Sequence, residues 1–496
     1  MKKILTIVLA LSVFAFSSCD DFLDKAPTNS GDASTAIQTA RDAEVVMNGI
    51  MDGLLSSSYL GRNMFLYADT KGGDMTIKAQ GRGSDALYVF NHSQNNNSYS
   101  GFWTTGYNLL LQINNLLENI EAIEATGGDG VENFDDYKAQ ALTLRAMLYF
   151  DLVRIYGECY DEDKSAWGVP DITTVLDASA RELRATVEQN YARIVSDLTT
   201  AEGLFTDHDA RNGFVSYYAN KALQARVYLY MEDYDKALAA AQDVIGGPYE
   251  LYDNDEWVAS WSTQFGSESI FELIVLDTEN DLGTGSLGGY YARAGDFGSV
   301  LGYFMASDYF LSKDGIDEKR GLGEDPTDIR WGIMTYDEIS DTRMGCCYKY
   351  LGGVDQPGDG KASASAVNIK VIRLSEMYLI AAEAALLKPT SDPQAAADYL
   401  NEIRKRSPGL TPATASTINL DMILNERSKE LYCEGHRFFD LMRCDKSITY
   451  NDEIAQLTPP TRSKTIDRSF FRTILPISQD EINANPDIAA QQNPEY

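Results

Sequence analysis

The sequence predicts a mostly α-helical protein. Its scaffold is a set of paired helices of tetratricopeptide-like type, carrying two long irregular loop insertions and few short strands. Three observations predict this. Apolar residues recur at helical spacing over long stretches in the first and last thirds of the chain. A template of small and large positions occurs twice: Ala225, Tyr228, Ala237 and Ala241 are matched 159 residues later by Ala384, Leu387, Ala396 and Leu400. Two segments, 56–100 and 246–366, lose the helical period while collecting glycine and aromatic residues.

The first element is an export signal. Met1, Lys2 and Lys3 precede an apolar run from Ile4 to Phe16, too short for a stable membrane span, and then Ser17, Ser18 and Cys19. Small residues directly before a cysteine are where a lipoprotein signal peptidase cuts, so residues 1–18 read as a lipoprotein signal peptide and Cys19 as the lipidated amino terminus. Phe16 stands where such signals usually carry Leu; the alternative is an ordinary secretory leader with an incidental cysteine. Several acyl chains on one residue supply the two or more signals that stable anchoring needs. Residues 19–35 form a polar tether, and the folded domain spans 36–496. Asp20, Asp21 and Asp24 beside the cysteine resemble the surface-export signals of Bacteroidetes lipoproteins, which implies a chain facing the exterior.

Composition narrows the partners. The net charge is −32, with 74 acidic residues against 42 basic, and such a surface repels phosphate backbones, so no nucleic-acid partner is expected. Of six cysteines, five remain after Cys19, without a CxxC or paired-histidine spacing, so neither a metal site nor a disulfide framework is implied. The informative excess is aromatic, with 29 Tyr, 19 Phe and 5 Trp, many outside the helical patterns.

In order, helices are predicted over 36–55, 102–123, 134–156, 183–204, 215–230, 234–245, 371–387, 393–406 and 419–443, followed by an extended tail from Thr458. Glycines break 102–123 from 134–156, which reads as a helical hairpin. Short strands are expected at Ile270–Leu276 and Cys347–Leu351. The run from Gly283 to Gly289 offers G-x-G-x-x-G without a strand–turn–helix context and reads as a flexible loop.

No catalytic motif emerges. Glu434, His436 and Asp440 sit close on the predicted last helix, but they lack the i, i+4 histidine pair of a zinc protease and are interleaved with Arg427, Arg437 and Arg443. Helix-locking salt bridges are the expectation, with Asp328 and Arg330 as a turn-fixing pair. Abundant acids leave paired glycosidase carboxylates open, since spacing in sequence says nothing about their separation in space. Binding residues are sought in the two insertions, because loops on a rigid scaffold concentrate recognition. Sugar rings stack on aromatic faces while Asn, Asp and Arg bond their hydroxyls. Asn91, Tyr99, Tyr290, Tyr291 and Arg293 meet that description. Alanine at Tyr290 and Tyr291 is expected to weaken binding with the melting temperature nearly unchanged.

Several spaced segments resemble the SusD/RagB family of outer-membrane nutrient-binding lipoproteins. They are Ile372-Arg373-Leu374-Ser375-Glu376-Met377-Tyr378-Leu379 through Ala384, Glu426-Arg427, Glu430-Leu431, Glu434-Gly435-His436-Arg437-Phe438-Phe439-Asp440-Leu441, and Leu475-Pro476-Ile477 with Glu481-Ile482 and Asn485-Pro486 beyond it. Trp103, Tyr107, Asn114 and the stretch from Arg145 to Gly157 resemble its earlier helices. Cys433 and Cys444 replace residues that are commonly apolar or aromatic there. The resemblance implies four tetratricopeptide-like helix pairs and no enzymatic activity or cofactor. It also implies capture of oligosaccharides, with delivery to a TonB-dependent SusC-type transporter beneath. Peptide capture on the same architecture and a surface glycoside hydrolase are the alternatives.

Overall fold

The computed structural model describes residues 37–79, 85–95, 101–126, 132–177, 179–261, 263–293, 302–312, 320–337, 339–352, 363–455, 457 and 461–496. The leader, the tether with Cys19, and Tyr99 lie outside them. Numbering only the longer helices, α1 is Ala40–Leu54, α2 Asn63–Lys71, α3 Gly101–Ala125, α4 Asp135–Tyr156, α5 Val187–Glu202 and α6 Tyr217–Tyr230. They are followed by α7 Tyr234–Ile245, α8 Leu374–Leu387, α9 Pro393–Arg404, α10 Leu420–Glu430 and α11 Arg437–Arg443.

Local chemistry sets these boundaries. Capping boxes open α1 (Thr39 with Asp42) and α5 (Thr186 with Gln189), while Ser216, Asp233 and Asp392 cap α6, α7 and α9 with single side chains. Pro393 adds its fixed φ at the first turn of α9, where its missing N–H costs nothing.

The scaffold is a one-dimensional array. Helices α1, α3, α4, α5, α6, α7, α8 and α9 each pack on the next, giving four consecutive pairs as expected. The two copies of the template touch: α7 lies on α8 although the 246–366 segment separates them in sequence. Ala225, Ala237, Ala241, Ala384, Ala396 and Leu400 are all fully buried at those contacts, small residues setting the close approach. In the middle of the array α4 is buried nearly all round, and its Arg145 bonds Asp197 of α5 at 2.7 Å and Asn114 of α3 at 3.0 Å.

Strands are few and short among the described residues: β1 Met75–Ile77, β2 Ser269–Leu273, β3 Phe304–Ala306, β4 Met334–Thr335, β5 Cys346–Cys347, β6 Ile369–Arg373, β7 Ile448–Thr449 and β8 Thr465–Ile466. Each pairs antiparallel with one partner, β1 with β3, β2 with β6, β4 with β5 and β7 with β8. The β1–β3 ladder, Met75 opposite Ala306 and Ile77 opposite Phe304, joins the two insertions to each other.

Four expectations are corrected. The 56–100 segment is not irregular throughout, because it contains α2, whose every residue is buried; a helix covered on all sides shows no apolar stripe. The helix expected over 419–443 is broken into α10 and α11, with Cys433 at φ 66° and Gly435 at φ 78° in the break. The strand expected at Cys347–Leu351 is confined to β5. The Gly283–Gly289 run is not a free loop: it forms a 3-10 turn, Gly283–Gly285, and enters the one-turn helix Leu287–Tyr291. A Cβ on Gly288 would stand 2.1 Å from the Tyr350 carbonyl oxygen, so glycine is what lets this segment lie against that backbone. Among the described residues Cys159, Cys347, Cys433 and Cys444 form no disulfide.

Candidate ligand-binding surface

The helix Leu287–Tyr291 is opened by Ser286, whose hydroxyl accepts the Gly289 N–H at 3.1 Å. Its last two residues face opposite ways. Tyr291 turns inward and is 2% exposed, donating its hydroxyl to Asp69 Oδ2 at 2.8 Å, while Asp69 Oδ1 accepts the Gly435 N–H at 3.0 Å. Burial pushes the Asp69 carboxyl up to about 8 against these two donors, and burial likewise raises the Tyr291 phenol. Tyr291 is therefore core, and its removal disturbs the fold.

Tyr290 turns outward and is half-buried. Its ring stacks on Phe304 of β3 (6.0 Å between centroids, 17°) and leans on Tyr303 at 5.4 Å. The Arg62 guanidinium, just before α2, lies 5.2 Å from the Tyr290 centroid and donates to the Gly285 carbonyl at 3.2 Å. Beyond Ala292, Arg293 pairs with Asp341 at 2.8 Å, and that carboxylate is 82% exposed. Tyr336, 44% exposed, lies on the same β4–β5 connection as Asp341. Rings held by their neighbours, with Arg and Asp groups at the rim, can stack on a sugar face and bond its hydroxyls.

Of the residues named from sequence, Tyr290 and Arg293 share this surface and Tyr291 lies beneath it. Asn91 is exposed, and its neighbours on either side bond the C-terminal segment: the Phe90 carbonyl accepts from Arg472 Nη1 at 3.0 Å, and His92 Nε2 meets the Arg472 carbonyl at 3.2 Å. Sequence reading did not single out Arg62 or Tyr303, because only the β1–β3 ladder brings them beside Tyr290.

The comparisons with known proteins agree with one another. A family model described as "SusD family" matches residues 320–496, and one described as "Starch-binding associating with outer membrane" matches 21–229. A SusD superfamily protein from Bacteroides thetaiotaomicron is 32% identical, with a TM-score of 0.82 over 92% of this chain and all of its own. The chain belongs to the SusD family. A Bacteroides vulgatus SusD superfamily protein matches with 32% identity, a TM-score of 0.80, and 93% and 100% coverage. SusD-like protein P38 of Formosa agariphila is 25% identical over 92% of this chain and 95% of its own length.

In this SusD-family chain the 372–384 and 426–441 segments of the family likeness meet in a buried seam of charge, which reaches the underside of the Tyr290 surface where the Gly435 N–H and the Tyr291 hydroxyl share Asp69. Arg373 bonds Glu434 through Nε and Nη2, both at 2.8 Å, and reaches Glu268 at 2.8 Å and Glu430 at 3.1 Å. Arg330 holds Asp328 at 2.7 Å, Glu426 at 2.7 Å and Glu430 at 3.2 Å, so the expected turn-fixing pair is part of a larger knot. Arg427 and Arg443 grip Asp440 at 2.8 and 2.9 Å, and Arg226 grips Glu376 at 2.6 Å. Glu434, His436 and Asp440 are not on one helix: the first two lie in the break before α11, where the positive φ values turn Glu434 toward Arg373 and Lys349.

The electrostatics of this seam are structural. Burial opposes ionisation of Asp440, yet Arg427 and Arg443 hold it well below the usual carboxylate range; Arg226, with Arg427 behind it, brings Glu376 to about 2 against the same burial. Burial lowers His436 to about 4, leaving a neutral imidazole at physiological pH. Among the described residues no group of three or more His, Cys, Asp or Glu is placed to hold a metal ion.

Proposed function

We propose that this SusD-family chain is a non-catalytic cell-surface lipoprotein that captures oligosaccharides and passes them to a TonB-dependent SusC-type transporter in the outer membrane. The observation that carries the reading is Tyr290: a half-buried tyrosine ring packed on Phe304 and Tyr303, with the Arg62 guanidinium over it and the Arg293–Asp341 pair following in the chain. That is the arrangement a pyranose ring needs, with one apolar face and hydroxyl-bonding groups at its edge. The family description as starch-binding at the outer membrane supports it, as does the shared fold of a laminarin-binding SusD-like protein (TM-score 0.69, 22% identity). The absence of catalysis is argued from the seam, where the carboxylates of the family segments are neutralised by arginine rather than poised against a substrate. The anchor is Cys19 after removal of residues 1–18, with 19–35 as tether.

The test is calorimetric titration with malto-, laminari- and xylo-oligosaccharides and with peptides of matched length. A glycan is expected to bind, Tyr290→Ala is expected to weaken it at least tenfold, and a reducing-end assay on the bound glycan is expected to show no product. Cleavage by the pure protein, or preference for peptides, overturns the reading. Cys19→Ala is expected to abolish labelling by radioactive palmitate; retained labelling removes Cys19 as the anchor.

A further inference from the structure

A second groove shares none of the residues of the Tyr290 surface. It runs between the start of α3, the 170–182 segment and the C-terminal helix Gln479–Ala484, and encloses about 380 Å³. Its floor is aromatic. Trp103 and Tyr107, one turn apart on α3, stand 4.9 Å apart at 49°; Trp103 is fixed edge-on against Tyr156, and the Tyr107 hydroxyl donates to the Pro170 carbonyl at 2.9 Å. Fixed rings cost little ordering when a ligand settles on them.

The polar groups around this floor are incompletely satisfied. Asn485 is 6% exposed and spends its amide N–H on the Glu182 carbonyl at 2.7 Å, but its Oδ1 has no donor among the described residues. The backbone carbonyl it faces forbids exchanging its two ends. A buried acceptor left empty keeps its full desolvation penalty, so something that donates a hydrogen bond belongs there. The half-buried Glu481 carboxylate receives the Trp103 indole N–H at 3.1 Å, and burial raises its pKa against that bond and the nearby Arg181 charge. Asn485 Oδ1 is thus the acceptor that asks for a donor from beyond the described residues, with the Glu481 carboxylate beside it at the groove.

The charges around the groove select among ligands. Arg181 stands with Glu182 and Glu481, so an anion meets two carboxylates and a cation meets the guanidinium. A neutral polyhydroxyl compound meets neither objection: its hydroxyls donate to Asn485 Oδ1 and Glu481, accept from Arg181, and its C–H face lies on the rings. We infer that this groove is a second site for a neutral glycan, independent of Tyr290. The inference rests on the glycan-capture reading and adds a site to it, so one chain would hold a polysaccharide at two separated points, and linked contacts raise overall avidity without a new interaction.

The test titrates the full chain with neutral hexasaccharides (malto-, laminari-, cello-, xylo- and mannohexaose), following stoichiometry by calorimetry and the Trp103 indole N–H by NMR. Asn108→Trp fills the groove from its exposed rim, and Glu481→Gln leaves an acceptor for Trp103 while removing the charge. At least one hexasaccharide is expected to shift the Trp103 signal in the Tyr290→Ala variant as in the parent. That shift is expected to weaken tenfold or more in Asn108→Trp and about threefold in Glu481→Gln. An unmoved Trp103 signal with binding lost in Tyr290→Ala overturns the groove and leaves capture at Tyr290 standing. Binding that depends on Asn108 and ignores Tyr290 supports the groove and removes the first site. If no hexasaccharide binds at millimolar concentration, both fall.

Discussion

The buried seam and the Tyr290 surface are built from the same residue types and use them in opposite ways. In the seam, Arg330 and its partners Asp328, Glu426 and Glu430 are wholly enclosed, and every charge is answered by another. On the surface, Arg293 answers Asp341 in the open, where water competes and a ligand can take over either partner. Enclosure makes a charge pair part of the frame; exposure makes it available. The likeness that identifies the family is concentrated in the first region, which is why it establishes the fold and leaves the ligand to the second.

The largest effect is expected from breaking the seam. Arg330→Ala leaves Asp328 buried without a counter-charge and strips one partner each from Glu426, which keeps Lys429, and Glu430, which keeps Arg373 and Arg406; loss of one partner of a buried pair costs about 3–5 kcal/mol. Urea unfolding is expected to show that loss, with Arg330→Lys recovering only part of it because an ammonium cannot reproduce the guanidinium fork. A loss below about 1 kcal/mol in Arg330→Ala would erase the distinction between the two regions.

Acid reaches the seam without mutation. The folded pKa values of Glu376 and Glu426 are depressed to about 2 from 4.5, so their contribution is complete above about 4.5 and drains as pH falls toward 2. His436, held neutral with a pKa of about 4 instead of 6.5, loses stability for the fold as pH falls from 6.5 to 4, because only the unfolded chain takes up the proton there. Asp69 acts in the other direction: protonated in the fold up to about 8, it withdraws stability as pH rises from 3.8. Between pH 6.5 and 4 the His436 and Asp69 contributions oppose each other, so the urea midpoint is expected to fall mainly below about pH 4.5, and His436→Gln is expected to let it rise as pH drops from 6.5 to 4.

Neighbouring tyrosines give the sharpest version of the comparison. Tyr291→Phe removes the donor to a buried carboxyl and is expected to cost about 1–3 kcal/mol; Tyr290→Phe is expected to leave the melting temperature within a degree or two. The double alanine variant cannot have the unchanged melting temperature that sequence reading expected, because half of it empties a core position. Nothing in the order Gly-Gly-Tyr-Tyr distinguishes the two rings; the turn begun by Ser286 decides which faces inward.

The same contrast explains what could be read from the chain and what could not. Helices α1, α7 and α9 are covered on one side only, so their apolar residues keep a period, and the small-residue template marked α6–α7 and α8–α9 before their contact was visible. The α2 helix left no such trace, because Asn63, Asp69, Thr70 and Lys71 are buried along with its apolar residues. The interleaving of Arg427, Glu430, Glu434 and Arg437 announced salt bridges. Their geometry depended on the break at Gly435, which is set by partners on β6 and α2 far away in sequence. Gly435→Ala tests that break: at φ 78°, with a Cβ 3.0 Å from Phe65 Cα, it is expected to cost about 1–2 kcal/mol.

The smallest stability effect is expected where the functional effect is large. Arg293 and Asp341 form an exposed pair, and such pairs contribute about 0–1 kcal/mol. Arg293→Ala should therefore unfold at nearly the same urea concentration as the parent. If the pair is exchangeable, a glycan hydroxyl that bonds Arg293 must first displace Asp341, and Asp341→Asn should ease that step. Opposite shifts in glycan affinity are then expected, several-fold weaker for Arg293→Ala and unchanged or tighter for Asp341→Asn, both measured by calorimetry at constant ionic strength. Equal loss in both variants would mean the pair acts as a fixed unit in binding, and the surface would then resemble the seam in kind, differing only in depth.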